Sequence, residues 1–79
     1  MIQVLFFGPV AERIGKHALQ VSHRAGMRLQ DLRDELSAVY PAAFEIVCFV
    51  AANGTHVRDL SLVIDDGCEV AFMAKFSGG

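Results

Sequence analysis

Cysteine is sparse in this sequence, and clusters of positive charge are missing. Two cysteines, Cys48 and Cys68, are too few for a disulfide-stapled scaffold, so we expect both to be small buried hydrophobic residues. The spacings of His17, His23 and His56 from each other and from the cysteines match no usual ligand pattern, so no metal site is predicted. The seven Lys and Arg residues are scattered and the formal net charge is -2, which argues against a nucleic-acid partner.

Long apolar runs are also lacking. No stretch of about 18 or more uncharged apolar residues is present, so no membrane span is predicted, and the N-terminus lacks the regions of a secretory signal. Cytoplasmic localisation is therefore the default expectation. The 79 residues predict a single small domain, whose core leaves little room for an enclosed active site. A carrier, a binding module or a subunit is favoured over an enzyme with an active site of its own.

Apolar residues make up 53% of the chain, and their spacing predicts the secondary structure. The β-branched and aromatic run 2–7 predicts a first strand, and the alternating residues 17–22 predict a second strand that pairs with it. A short helical turn over 10–14, ended by Gly15, is expected between them. The stretch 46–52 is apolar throughout, which indicates a strand either buried on both faces or central in the sheet.

One amphipathic helix is predicted between the second and third strands. Its apolar stripe recurs every three or four residues, at Leu29, Leu32, Leu36 and either Val39 or Tyr40. Pro41 marks its end, whereas Arg28 stands where a Ser, Thr or Asp cap is usual. Asn53-Gly54 predicts a tight hairpin turn into a short strand over 55–57, and the last strand runs over 68–73. This order predicts an α+β fold with one helix packed across one face of a sheet.

Alternation along the first and last strands assigns their side chains to two faces. The set expected under the helix is Ile2, Val4, Phe6, Cys68, Val70 and Phe72. If the two strands are neighbours, Leu5, Phe7, Ala71 and Met73 form an apolar patch on the open face, and such patches commonly mark protein interfaces. The alternative is that loop residues 42–44 cover this patch.

The sequence given ends in Phe76-Ser77-Gly78-Gly79. We expect residues 1–75 to form the domain and residues 76–79 to form a flexible tail. Glycine can thread a narrow channel in conformations closed to other residues, so the terminal carboxylate of Gly79 is the candidate reactive group. Phe76 is expected either to anchor in a partner's groove or to pack back onto this domain. The alternative for the whole segment is an inert, frayed terminus.

Four segments carry a resemblance that covers essentially the whole chain. They are the opening residues 2–8, the turn 52–55, the strand 66–72 and the terminal Ser77-Gly78-Gly79. In order and spacing they resemble the ubiquitin-like sulfur carriers, in particular the small subunits of molybdopterin synthase. The resemblance implies a β-grasp fold, which is a mixed sheet of about five strands with one main helix across one face.

The same resemblance implies a mechanism centred on Gly79. An E1-like activating enzyme would use ATP and magnesium to adenylate its carboxylate, and a persulfide sulfur from a donor would displace AMP to leave a thiocarboxylate. Ser77, Gly78 and Gly79 would enter a channel in a large subunit, where the sulfur passes to the pterin precursor, within an expected heterotetramer. Leu5, Phe7, Ala71, Met73 and Phe76 are the expected docking residues. This chain would bind no cofactor or metal itself.

Two departures from the family pattern leave the cognate partner open. Met73-Ala74-Lys75 stands where Phe-Pro-Pro is frequent, and Cys68 stands where an Asp is usual. A sulfur carrier for thiamine thiazole or another sulfur metabolite is therefore an alternative. A ubiquitin-like protein modifier, which would transfer activated Gly79 to a lysine amine, and a plain scaffold domain are the alternatives from other classes.

Overall fold

The structure, a computed structural model, describes residues 1–75; the predictions for Phe76, Ser77, Gly78 and Gly79 lie outside the described residues. The elements in chain order are β1 (Ile2–Phe6), α1 (Gly8–Ile14), β2 (Ala18–Val21), α2 (Leu29–Val39), α3 (Pro41–Phe44), β3 (Val47–Ala52), β4 (Thr55–Val57) and β5 (Glu69–Ala74). No helix within this range is long and apolar enough to cross a membrane.

The strands form one five-stranded sheet in the order β2-β1-β5-β3-β4. β1 is parallel to β5, and the remaining pairs are antiparallel, so the sheet is mixed. The predicted pairing of the first two strands is confirmed, and the first and last strands are direct neighbours. The predicted α+β fold class with a helix across one face is confirmed, and two short helices accompany the main one.

The core lies between α2 and the face of the sheet that the alternation predicted. Ile2, Val4, Phe6, Val70 and Phe72 are at most 1% exposed, and Cys68 is also buried. The predicted stripe of α2 is buried at Leu29, Leu32 and Leu36, and its last member is Tyr40, which packs against the core. Val39 is 66% exposed, so Tyr40 and not Val39 is the last residue of the apolar stripe, which the sequence analysis had left open.

The beginning of α2 is held by backbone groups from a distant segment. The N–H groups of Leu29 and Gln30 donate to the carbonyls of Leu62 and Leu60, each at 2.9 Å. Because the first N–H groups of a helix have no partner within the helix, these bonds replace the missing side-chain cap. They explain why the sequence carries Arg28, and none of the usual cap residues, before the helix.

Residues 41–44 form α3, which the sequence analysis treated as a loop. The Phe44 ring lies edge-on to the Phe72 ring, with centroids 5.1 Å apart, and both Ala43 and Phe44 are buried. Arg13 of α1 donates a hydrogen bond to the Ala42 carbonyl at 2.8 Å, which ties the two short helices together. The segment therefore packs on the core side, and the alternative in which it covers the open-face patch does not hold.

β3 is interior to the sheet but is not buried on both faces. It lies between β5 and β4, yet Cys48 is exposed. The register against β5 shifts between Val47 and Phe49, so one residue of β3 is left over at Cys48. Such a bulge breaks the alternation of faces, which is why the buried positions are Val47 and Val50. The prediction that Cys48 is buried is wrong for this reason.

The predicted hairpin turn between β3 and β4 is confirmed. Asn53 and Gly54 have φ values of 50° and 81°, a left-handed geometry that Asn and Gly adopt at little cost. The Asn53 side-chain oxygen accepts a hydrogen bond from the Glu69 N–H at 3.0 Å, and the Asn53 N–H donates to the Glu69 carbonyl at 2.7 Å. The turn is thereby joined to the start of β5.

A second turn follows β4 and contains a perturbed carboxyl group. Asp59 Oδ1 accepts hydrogen bonds from the Ser61 hydroxyl at 2.6 Å and from the Ser61 N–H at 2.9 Å. These bonds favour the ionised carboxylate and hold the pKa of Asp59 below its ordinary value. Their contribution to stability is present above the unfolded-state pKa of 3.8 and is lost as the pH falls through the lowered folded-state pKa.

We expect Asp59→Asn to reduce the loss of stability on acidification. The amide keeps an acceptor oxygen for Ser61 but cannot titrate, so urea unfolding midpoints at about pH 6 and about pH 2.5 should differ less than in the unchanged chain. Ser61→Ala removes the hydroxyl donor and should shrink the same difference in part. An equal loss of stability in all three proteins would contradict this account of Asp59.

Candidate functional site

The predicted open-face residues come together on one surface of the structure. Leu5, Phe7, Ala71 and Met73 line a concave region of about 580 Å³, here called the open-face groove. Leu5 lies opposite Ala71 in the parallel pairing of β1 with β5. Phe7 follows β1 directly and is 47% exposed, whereas Leu5, Ala71 and Met73 are partly buried. The surface is apolar although it faces solvent, and apolar surfaces of this kind favour contact with a partner.

β3 and β4 contribute groove residues that the sequence analysis missed. Phe49 lies opposite Met73 and Ala51 lies opposite Ala71 in the antiparallel pairing of β3 with β5. The His56 ring on β4 lies tilted against the Phe49 ring, with centroids 5.2 Å apart. Alternation alone could not assign Phe49 to this face, because the bulge at Cys48 displaces the pattern by one residue. The Asn53-Gly54 turn was the signal in the sequence that could have assigned it. A tight turn fixes which residues of β3 and β4 lie opposite each other, and so which of them share a face.

The direction of the strands places the groove close to the last described residues. β1 and β5 are parallel, so their carboxyl ends lie at the same end of the sheet. Phe7 and Met73 lie at this end, and the exposed Lys75 follows β5 there. Glu69, at the opposite end of β5, forms the polar boundary of the groove. A partner seated on the groove would therefore contact the domain beside the point from which residues 76–79 continue.

The open-face groove is a mainly apolar contact surface. No cluster of three or more His, Cys, Asp or Glu side chains that could hold a metal is found within residues 1–75. No polar or charged residue in this range is buried. Of the predicted site residues, the structure brings together the four of the open-face groove, whereas the proposed reactive group on Gly79 lies outside the described range.

The two cysteines occupy different environments and are both free. Cys68 is buried immediately before β5, and burial, with a smaller contribution from the Asp65 carboxylate, raises the pKa of its thiol. Cys48 is exposed at the bulge of β3. Since the thiolate is the nucleophile, only Cys48 combines accessibility with the capacity to react in the folded protein.

Comparison with solved structures shows the fold that this chain shares. SAMP1 of Haloferax volcanii, a small archaeal modifier protein, aligns with a TM-score of 0.83 and 22% identity over 99% of this chain and 98% of that chain. Putative molybdopterin converting factor subunit 1 of Pyrococcus furiosus aligns with a TM-score of 0.83 and 20% identity over 95% and 97%. The complex of subunits 1 and 2 of the molybdopterin-converting factor of Helicobacter pylori contains a chain that aligns with a TM-score of 0.68 and 22% identity over 99% and 97%.

These likenesses confirm the β-grasp fold of the ubiquitin-like sulfur carriers. No curated protein matches this sequence. The model of the ThiS family, however, matches residues 4–79, and the chain therefore belongs to the ThiS family. The matched range includes both the residues that line the open-face groove and the segment Ser77-Gly78-Gly79.

We expect a thiol reagent to distinguish the two cysteines. In the native protein about one thiol should react rapidly with Ellman's reagent, and the second should react only on unfolding, because Cys68 is buried and its pKa is raised. Cys48→Ser should abolish the rapid phase, and Cys68→Ser, as the matched control, should retain it. Two thiols that react at similar rates in the native protein would contradict the assignment.

Proposed function

We propose that this chain is a sulfur carrier of molybdopterin synthesis, in which Gly79 bears a thiocarboxylate. The observation that carries the proposal is the match of the ThiS family model over residues 4–79, which contains the Gly78-Gly79 segment. The β-grasp likeness to a putative molybdopterin converting factor subunit 1 supports the pterin pathway. In this proposal the domain provides binding and delivery, and the chemistry takes place at one carbonyl carbon outside the described residues.

The proposed reaction needs activation because a carboxylate is a poor electrophile. An E1-like enzyme, using ATP and magnesium, joins the Gly79 carboxylate to AMP and releases pyrophosphate, which creates a mixed anhydride with a good leaving group. A persulfide sulfur then attacks the carbonyl carbon and AMP leaves. Reductive cleavage of the resulting acyl disulfide by a thiol frees the thiocarboxylate, whose sulfur is a nucleophile. The chain contributes the acyl group and the two glycines that let it enter a narrow channel.

The open-face groove is the proposed docking surface for the large subunit. Its aromatic and aliphatic side chains Leu5, Phe7, Ala71 and Met73 form an apolar surface beside the carboxyl end of β5, and Phe76 is proposed to extend it. The likeness to a chain from a complex of subunits 1 and 2 of a molybdopterin-converting factor supports a partner of the large-subunit kind. A heterotetramer of two small and two large subunits is part of the proposal.

Protein modification is the second candidate function. The likeness to a small archaeal modifier protein, at the same TM-score of 0.83, favours it as much as the fold alone can. A modifier would use the same activated Gly79 but would transfer its acyl group to a lysine amine, with AMP as the leaving group. A carrier for thiamine thiazole or another sulfur metabolite would share the thiocarboxylate and differ in the acceptor.

We expect the intact mass of the protein to change by replacement of one oxygen by sulfur. The purified chain would be incubated with a cognate E1-like enzyme, ATP, magnesium and a sulfur donor, and its mass measured with and without ATP. Deletion of Gly78-Gly79 should abolish the change, and Cys48→Ser should leave it intact, which excludes a persulfide on the exposed thiol. Failure to form either an acyl-adenylate or a thiocarboxylate would sink the carrier proposal, and isopeptide adducts in its place would favour the modifier.

We expect Phe7→Ala and Met73→Ala each to weaken binding to the cognate large subunit by about tenfold to a hundredfold. Loss of a central apolar contact in an interface commonly costs more than about 1 kcal/mol, and a cost of roughly 1.4 to 2.8 kcal/mol corresponds to this range. Titration calorimetry would measure the affinity, and Val39→Ala, an exposed apolar residue of α2 on the far side of the domain, is the matched control. Unchanged affinity in both groove variants would mean that the large subunit docks elsewhere.

A further inference from the structure

The sheet has an open edge along the first half of β3. β4 comprises only Thr55–Val57 and pairs with Val50–Ala52, so residues 47–49 have β5 on one side and no strand of the described chain on the other. After β4 the chain enters the turn in which Ser61 donates hydrogen bonds to Asp59, so β4 does not extend along residues 47–49. An unpaired strand edge carries N–H and C=O groups that can pair with another extended chain.

A cleft of about 390 Å³ lies between α2 and this edge, and its charged lining consists of two guanidinium groups. Arg33 of α2 and Arg58, which follows β4, line it, and no carboxylate does so within residues 1–75. This local charge is opposite in sign to the formal net charge of -2. The cleft therefore differs from the open-face groove, whose charged boundary is the Glu69 carboxylate.

The two guanidinium groups of the cleft differ from the other three in the chain. Arg13 and Arg24 form ion pairs with Glu45 and Glu35, at 3.6 and 2.9 Å, and the Arg28 guanidinium donates to a backbone carbonyl. Neither Arg33 nor Arg58 forms an ion pair or a side-chain hydrogen bond with another residue in the described part of the chain. Their charge is available to a ligand.

We propose that this cleft binds an extended acidic segment of a partner protein as an added strand beside residues 47–49. Main-chain hydrogen bonds to the open edge would provide affinity, and acidic side chains on alternate residues would reach Arg33 and Arg58. The Phe49 ring, on the opposite face of the sheet from α2, also lines the cleft and suits apolar residues at the intervening positions. The cleft shares Phe49 and His56 with the open-face groove, but the peptide test below contains no large subunit, so the two proposals are tested separately.

The test uses the full chain and a fluorescein-labelled peptide of sequence Glu-Val-Glu-Val-Glu-Val. Fluorescence anisotropy at low salt measures its binding. Two control peptides separate the two contributions: one has Lys in place of every Glu, and the other has Pro in place of the two central residues and so cannot form the ladder. We expect saturable binding of the acidic peptide and binding at least about tenfold weaker for each control. Equal binding of the proline peptide would overturn the proposal in favour of simple attraction of anions.

Charge-reversal variants and the reactivity of the exposed Cys48 thiol show where on the domain the peptide binds. Arg33→Glu and Arg58→Glu should each weaken peptide binding by about threefold to tenfold, since reversal replaces a favourable charge pair by an unfavourable one. Lys16→Glu makes the same change of charge beside β2, at the opposite edge of the sheet, and should not weaken it beyond twofold or so. The bound peptide should also slow alkylation of Cys48, which lines the cleft. Equal effects of all three reversals, or no protection of Cys48, would overturn the proposal.

Discussion

Because β1 and β5 pair in parallel at the centre of the sheet, two strands that are far apart in sequence become immediate neighbours. Parallel strands cannot be joined by a tight turn, so the intervening chain must cross over, and here it supplies α2 and the remaining strand pairs. The pairing buries the alternate residues of both strands beneath α2 and leaves their other residues on the open face. The composition of both the core and the open-face groove therefore follows from the register in which β1 pairs with β5.

The two faces of the sheet bury apolar surface to very different extents. On the core face, the Phe72 ring contacts both Phe6 and Phe44, with ring centroids 6.3 and 5.1 Å away, and is fully buried. On the open face, Phe7 and Met73 have no covering element among the described residues. Burial of apolar area contributes roughly 25 cal/mol per Å², so the core face stabilises the isolated domain, whereas the open face can gain the same contribution only from a partner.

The spacing of apolar residues along the sequence predicted the features of this fold that depend on neighbouring residues of one strand or helix. Alternation assigned Ile2, Val4 and Phe6 to the core and Leu5 and Phe7 to the groove, because each strand places successive side chains on opposite faces. It did not predict the exposed Cys48, since a bulge arises from the pairing of two strands and leaves no local signal. It also missed α3, which is stabilised by contacts of Phe44 with β5, and the distant carbonyls that hold the start of α2. Residues 76–79 were assigned their function by resemblance, and the described structure leaves that assignment as a prediction.

The residues Met73-Ala74-Lys75, which replace the Phe-Pro-Pro pattern, include the last two residues of β5. Met73 and Ala74 are the last residues of β5 and lie opposite Phe49 and Val47 of β3, and Ala74 is only 8% exposed. A proline at position 74 would remove the backbone N–H of a residue that lies opposite Val47 in the pairing of β5 with β3, and sheets tolerate proline poorly at paired positions. A proline ring would restrict the backbone here by fixing φ, whereas this chain restricts it by pairing Met73 and Ala74 with β3. The position of the last residues of β5 is thus set by their pairing with β3, and the bulge that exposes Cys48 belongs to that same pairing.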